Sequence, residues 1–157
     1  VPALVNLVAA SRAPGLRAAF ADAGLDGIRP AQAVALVPLA AGGLHASDLA
    51  DQLRVSRQAV AQAVAALERY AYVVRGPHPS DARARIIELT PKGRDALRVM
   101  RANALDVEKR WRKSLGEKRF GELRETLLAL LSAEADEPGG VAGSIGGDKA
   151  VQWMLGQ

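Results

Sequence analysis

Apolar positions recur at helical spacing through most of the chain. Leu4, Leu7, Val8 and Ser11 fall at i, i+3, i+4 and i+7, one face of a first helix. Pro14-Gly15 breaks or kinks it, and Pro14 suits the first turn of a new segment. That segment runs from Leu16 to Ala23, with Gly24 as its stop. A helix from near Pro30 through Val34, Leu36 and Val37 is strained by Pro38 and ended by Gly42-Gly43. A short helix covers Ala46 to Leu53, with Asp48 and Asp51 early, where the helix dipole favours negative charge. Val55-Ser56 separates it from a helix over Arg57–Tyr70. Ser56 is an apt N-cap, because its hydroxyl can accept from an orphan backbone N–H. Val60, Val64 and Leu67 form that helix's buried stripe.

The period then falls to two. Tyr72–Arg75 and Arg85–Leu89 predict two short strands. The intervening GPHPSDARA, rich in turn formers, predicts a hairpin with a long tip. Thr90-Pro91 opens the next helix, with Thr as cap and Pro in the first turn. Leu97, Met100, Ala104, Val107 and Trp111 follow at alternating spacings of three and four, a coiled-coil-like seam. The helix is expected to reach Ser114, roughly 35 Å at the standard rise per residue. A last helix, Glu117 to Ala133, is expected to bury Phe120, Leu123, Leu127 and Leu130. Seams this long predict partner helices, most simply from a second copy of the chain.

Composition narrows the chemistry. With 157 residues, the chain can bury a substantial core without a metal or disulfide staple. It has 0 cysteines, which excludes disulfides, thiolate zinc sites and thiol redox chemistry. Its 2 histidines cannot supply the usual three-ligand zinc site without carboxylates. No apolar run reaches membrane-spanning length, and VPALVNLVAA lacks the basic region of a signal peptide, so a cytoplasmic protein is expected. No catalytic set, metal cluster or cofactor motif stands out. The glycines around 139–147 lack the Gly-Lys-Ser/Thr and preceding strand of a phosphate loop. An enzyme is not expected.

Charge points to a partner. The chain is +4 overall, and residues 54–101 carry ten Arg or Lys against four Asp or Glu. Such concentration suggests a polyanion. Gln58, Gln62, Ala65 and Arg69 share one face of the Arg57–Tyr70 helix, opposite its apolar stripe. A Gln amide can pair bidentately with adenine in the major groove, and Ala61 offers a methyl-sized contact for thymine. Ser56 and Arg57 sit at the positive helix N-terminus, within reach of phosphate or base edges. Arg75 and Arg85 are candidate contacts to the DNA backbone, or else surface charge partners of Glu88 or Asp81. Asp81 is expected to shape the hairpin through an ion pair with a hairpin arginine, since a carboxylate facing phosphate would be repelled.

Two helices joined by a tight turn and followed by a basic hairpin form the winged helix-turn-helix pattern. SDLADQLRVSRQAVAQAVAALERYAYVVR (47–75) with PSDARARIIELTPKGRDAL (79–97) resembles the MarR family of bacterial transcription regulators. The matching elements are the wing's Asp81-Ala82-Arg83 and the run Leu89-Thr90-Pro91-Lys92-Gly93. The resemblance covers about residues 1–134. It implies a mainly α fold with a small β-hairpin wing and N- and C-terminal dimerisation helices. Residues 1–135 would be the winged helix domain, with a reading head at 30–90 and dimerisation helices at 1–28 and 91–134. Residues 136–157 would be a Gly-rich linker and an apolar tail, whose Trp153 and Leu155 would dock onto the body or a partner subunit.

The resemblance also implies that Arg83 reaches the minor groove. It implies a homodimer binding double-stranded DNA at a pseudo-palindromic operator, its two recognition helices about 34 Å apart. A ligand-responsive repressor is the expected function. An anionic or aromatic small-molecule effector would meet mostly aliphatic walls and Arg contacts, because aromatics are only 4% of residues. The alternative is a winged-helix protein-interaction module without specific DNA binding. Two features depart from the family. His45 stands where a capping Thr is common; a neutral His can still accept a backbone bond there, or serve a metal or pH-sensitive site. The Pro14-Gly15 break is unusual in a long first helix. His78, in the wing tip, is a phosphate neighbour or a solvent-exposed side chain.

Overall fold

A computed structural model of the chain describes residues 1–136. The tail, with the expected docking of Trp153 and Leu155, lies outside the described residues. The elements are α1 (Pro2–Ser11), α2 (Ala13–Asp22), α3 (Pro30–Ala33), two 3₁₀ turns (Val34–Leu36 and Pro38–Ala41), α4 (Ala46–Leu53), α5 (Arg57–Arg69), β1 (Val73–His78), β2 (Asp81–Leu89), α6 (Pro91–Leu115) and α7 (Glu117–Asp136). The architecture is the expected one, mainly helical with one antiparallel hairpin.

The core lies where α2, α4, α5, the hairpin and the start of α6 converge. Phe20, Leu36, Leu49, Val60, Val64, Leu67 and Tyr72 are all at most 1% exposed. The stripe expected on α5 is therefore its buried face. The continuous helix expected from Pro30 is instead one α-turn and two 3₁₀ turns, in which Ala33, Ala35, Leu36, Val37 and Leu39 are all buried. Pro38 lacks the N–H that would continue an α-helix, so tight turns replace it, with Val34, Ala40 and Ala41 left exposed.

The hairpin differs from expectation at its tip. The strands extend to His78 and from Asp81, leaving only Pro79-Ser80 as the turn. Val73 pairs with Leu89, Pro77 with Arg85 and His78 with Asp81, and the register shifts between Pro77 and His78. Pro77 is tolerated because a two-stranded ribbon has only edge strands.

Thr90 and Gly93 fix the junction between wing and α6. Thr90 Oγ1 accepts from Gly93 N–H at 3.1 Å and donates to the Ala71 carbonyl at 2.6 Å. A Cβ on Gly93 would lie 2.1 Å from the Tyr72 carbonyl oxygen, so the Leu-Thr-x-x-Gly element is a close backbone crossing that only glycine permits. From there α6 runs 25 residues, one beyond the expected end at Ser114. Along its seam Leu97 and Val107 are buried, and Met100, Ala104 and Trp111 half-buried.

The outer helices are thinly covered. No residue of α1 is buried, and Leu4 and Leu7 are each 65% exposed. On α7, Phe120 is buried and Leu123 and Leu127 half-buried, but Leu130, expected inside, is 48% exposed. Pro14 occupies the first turn of α2, as expected, and the break between α1 and α2 falls at Arg12.

Candidate nucleic-acid interface

Helix α5 is built to show one face. Ser56 accepts from Ala59 N–H at 3.0 Å, capping the helix as expected and leaving its O–H free to donate outward. With Val60, Val64 and Leu67 sealed inside, Arg57, Gln58, Ala61, Gln62, Ala65 and Arg69 are all exposed. Arg75, Arg83 and Arg85 on the hairpin are exposed as well. Every sequence-predicted contact residue thus lies on the surface, on Ser56 and α5 and on the wing.

The wing details correct two expectations. Asp81 makes no ion pair with a wing arginine among the described residues; its Oδ1 accepts from the backbone N–H of Arg83 at 2.9 Å. This turn-type bond shapes the strand directly and leaves the Arg83 guanidinium free. Arg75 pairs with Glu68 on α5 at 3.3 Å, rather than with Glu88 or Asp81. Both partners are over 40% exposed, so the pair is weak and can be exchanged for phosphate.

His45 occupies the N-cap position of α4, but its side chain makes no capping bond. Instead its Nδ1–H donates to the Arg85 carbonyl at 3.0 Å. Its ring stacks on that of His78, with centroids 5.6 Å apart and planes 12° from parallel. His78 is half-buried rather than plainly solvent-exposed.

Two features escaped sequence reasoning. Arg54 ends α4 in the left-handed conformation (φ 48°) and stands exposed in the turn before α5. Its only signal was a basic residue between Leu53 and Val55. A cleft of about 210 Å³ is lined by Ala40, Leu89 and Leu97 and by Arg94, Arg98 and Arg101 of α6. The arginine spacing of four and three was the available signal, since it places all three on one helical face. Arg98 pairs with Asp95, whereas Arg94 and Arg101 have no carboxylate partner among the described residues.

Among the described residues, no cluster of His, Asp and Glu could hold a metal, and no helix is long and apolar enough to cross a membrane.

Helix-turn-helix and basic hairpin together define a winged helix-turn-helix protein. The MarR family model matches residues 26–84, spanning α3 to the wing. Solved MarR structures share the fold. A crystal structure of a MarR family transcription regulator superposes with a TM-score of 0.71 at 21% identity, covering 87% of this chain and 86% of that one. Wild-type MarR from E. coli in its apo form gives 0.65 at 22% identity, covering 83% and 96%. A MepR mutant from S. aureus, bound to an oligodeoxyribonucleotide, gives 0.55 at 21% identity, covering 84% and 96%. No curated protein matches the chain. The resemblance to the MarR family carried by residues 47–97 is borne out, and the fold is that of MarR family regulators.

Proposed function

We propose that this chain is a sequence-specific DNA-binding transcriptional regulator that works as a homodimer in the cytoplasm. The observation that carries this is the division of α5. Its apolar stripe is sealed in the core, while Arg57, Gln58, Ala61, Gln62 and Arg69 stand exposed on a rigid, capped helix. That helix would lie in the major groove, with the Gln side chains reading adenine and Arg57 meeting phosphate. Arg83 would enter the adjacent minor groove, where narrow A·T-rich segments attract arginine. Arg75 and Arg85 would track the backbone. The DNA-bound MepR mutant, which shares the fold, supports the same partner here.

Residues 30–90 would form the reading head, with 1–28 and 91–134 as dimerisation helices. Repression is the expected outcome on the family resemblance alone. The cleft under Arg94, Arg98 and Arg101 would take the effector, an anion with an apolar body resting on Leu89 and Leu97. It joins α6 to the hairpin, so a bound anion would shift the reading head relative to the dimer helices.

The test is fluorescence anisotropy with the DNA upstream of its own gene across a salt series. Nanomolar affinity that falls steeply with salt and far exceeds that for scrambled DNA is expected. Weak binding, equal for every sequence, would favour a protein-docking module instead.

A further inference from the structure

The chain's two histidines meet across the joint between the wing and α4. His45 precedes the first turn of α4 and His78 ends β1, yet their rings stack at 5.6 Å. The bonds each ring makes assign its tautomer. His45 Nδ1 faces the Arg85 carbonyl, a pure acceptor, so Nδ1 carries the proton. His78 Nδ1 accepts from Ser80 N–H at 3.1 Å, so it carries none, and Ser80 Oγ lies 2.9 Å from the same nitrogen. Beside the stack, Leu44 and Ile87 exchange backbone bonds of 3.1 and 2.8 Å, tying the segment before α4 to β2.

We propose that this imidazole pair is a proton-operated latch on the wing, closed while both rings are neutral and released when His78 takes up a proton. The two rings respond differently. A proton on His45 enters at Nε2 and leaves the bond to the Arg85 carbonyl intact. A proton on His78 enters at Nδ1 and removes the only lone pair available to the Ser80 amide. Nδ1–H then turns to Ser80 Oγ as its acceptor, and the two-residue tip must rearrange. A second proton on the pair sets two cations face to face.

The charged groups on the elements meeting there set the balance. Asp48 lies in the first turn of α4, the helix that His45 precedes. Arg75 lies on β1 and Arg85 on β2. Asp81, the register partner of His78, faces a choice. Its carboxylate holds the Arg83 amide while His78 is neutral, and an imidazolium offers it a stronger partner. Protonation therefore loosens the anchor of Arg83, the residue assigned to the minor groove. The consequence for DNA rests on the function proposed above; the latch itself does not.

The experiment joins two measurements over about pH 8 to 5, the interval in which histidine changes charge. Nitrogen-15 NMR of the free protein should show His45 protonated at Nδ1 and His78 at Nε2 when neutral, and Ser80 and Arg83 amide shifts that follow the His78 titration. In parallel, anisotropy at fixed ionic strength should show operator affinity falling about tenfold between roughly pH 7.5 and 5.5. In His78→Asn, whose Oδ1 keeps an acceptor that does not titrate, both amides should lose their pH dependence and most of the affinity change should vanish. Amides that ignore the His78 titration would overturn the latch. So would DNA affinity that rises on acidification, or that falls equally in His78→Asn. Absence of DNA binding at every pH would instead overturn the regulator function, and the amide titration would still decide the latch.

Discussion

The Tyr72 hydroxyl donates a 2.7 Å hydrogen bond to the backbone carbonyl of Asp26, tying the residue that leads into the wing to the loop after α2. Tyr72 is wholly buried, and that burial, helped by the Asp26 charge, pushes its phenol up to about 12. Because the folded state holds this proton more tightly than the unfolded state, its contribution is complete below about pH 10. It is lost as pH rises from there toward 12. Chemical denaturation of the wild type should therefore show stability declining over that interval. Tyr72→Phe should flatten the decline and, at neutral pH, cost roughly 1–2 kcal/mol by leaving the Asp26 carbonyl without its partner. An alkaline decline of equal size in the variant would assign it to other groups.

The Asp81–Arg83 arrangement separates positioning from contact. Arg83→Ala should weaken operator binding and reduce the slope of log affinity against log salt by about 1, the mark of one lost phosphate-region cation. Asp81→Ala removes no cation. It should lower affinity severalfold while leaving the slope unchanged, because it frees the Arg83 amide now held at 2.9 Å. Asp81→Asn keeps an acceptor oxygen and should recover most of the loss. A slope change in Asp81→Ala, or no recovery with Asn, would show that the carboxylate acts through its charge.

What the sequence made legible was local. The start of α5, the Ser56 and Thr90 caps and the start of α6 follow from short-range periodicity and hydrogen bonding, and they fall where expected. The errors arose where distant segments decide. Gly76 and Pro77 read as breakers, yet β2 pairs with them because both strands are edges. Val34–Ala41 carried a helical pattern, but Pro38 removes a helical N–H and the segment closes into two tight turns instead. Asp81 had an amide and several guanidinium groups within reach, and only the folded strand shows that the Arg83 N–H is the nearer. The pairing of His45 with His78 joins segments with no common periodicity.

Arg54 and Ala71 repeat one device. Both stand at left-handed φ, 48° and 59°, just past a helix end. In each case the next residue's N–H reaches five residues back, Val55 to Ala50 and Tyr72 to Leu67. This helix ending prefers glycine, because a Cβ is strained there. Ala71→Gly should therefore stabilise the protein by about 0.5–1 kcal/mol, the relief of strain exceeding the added unfolded-state entropy. Thermal unfolding checks it, and a lower midpoint would mean that the Ala71 methyl contributes packing that outweighs the strain. Arg54→Gly should stabilise similarly but weaken DNA binding if the Arg54 side chain meets phosphate.

The exposed apolar face of α1 tests the dimer without disturbing the monomer. Leu4 and Leu7 are each 65% exposed and no α1 side chain is buried, so a charge placed there costs the isolated fold little. In a dimer whose terminal helices interlock, the same charge would be buried without a partner and would oppose association strongly. Light scattering of the wild type at micromolar concentration should give about twice the 16.5 kDa chain mass. Leu7→Glu should shift the distribution toward the single chain while leaving the far-ultraviolet circular dichroism unchanged. Operator binding should weaken with it, because one reading head reaches only one half-site. A wild type that stays monomeric would overturn the homodimer. A Leu7→Glu protein that remains fully dimeric would move the interface away from α1, leaving Leu130 and Leu131 of α7, about half exposed, as the apolar surface to substitute next.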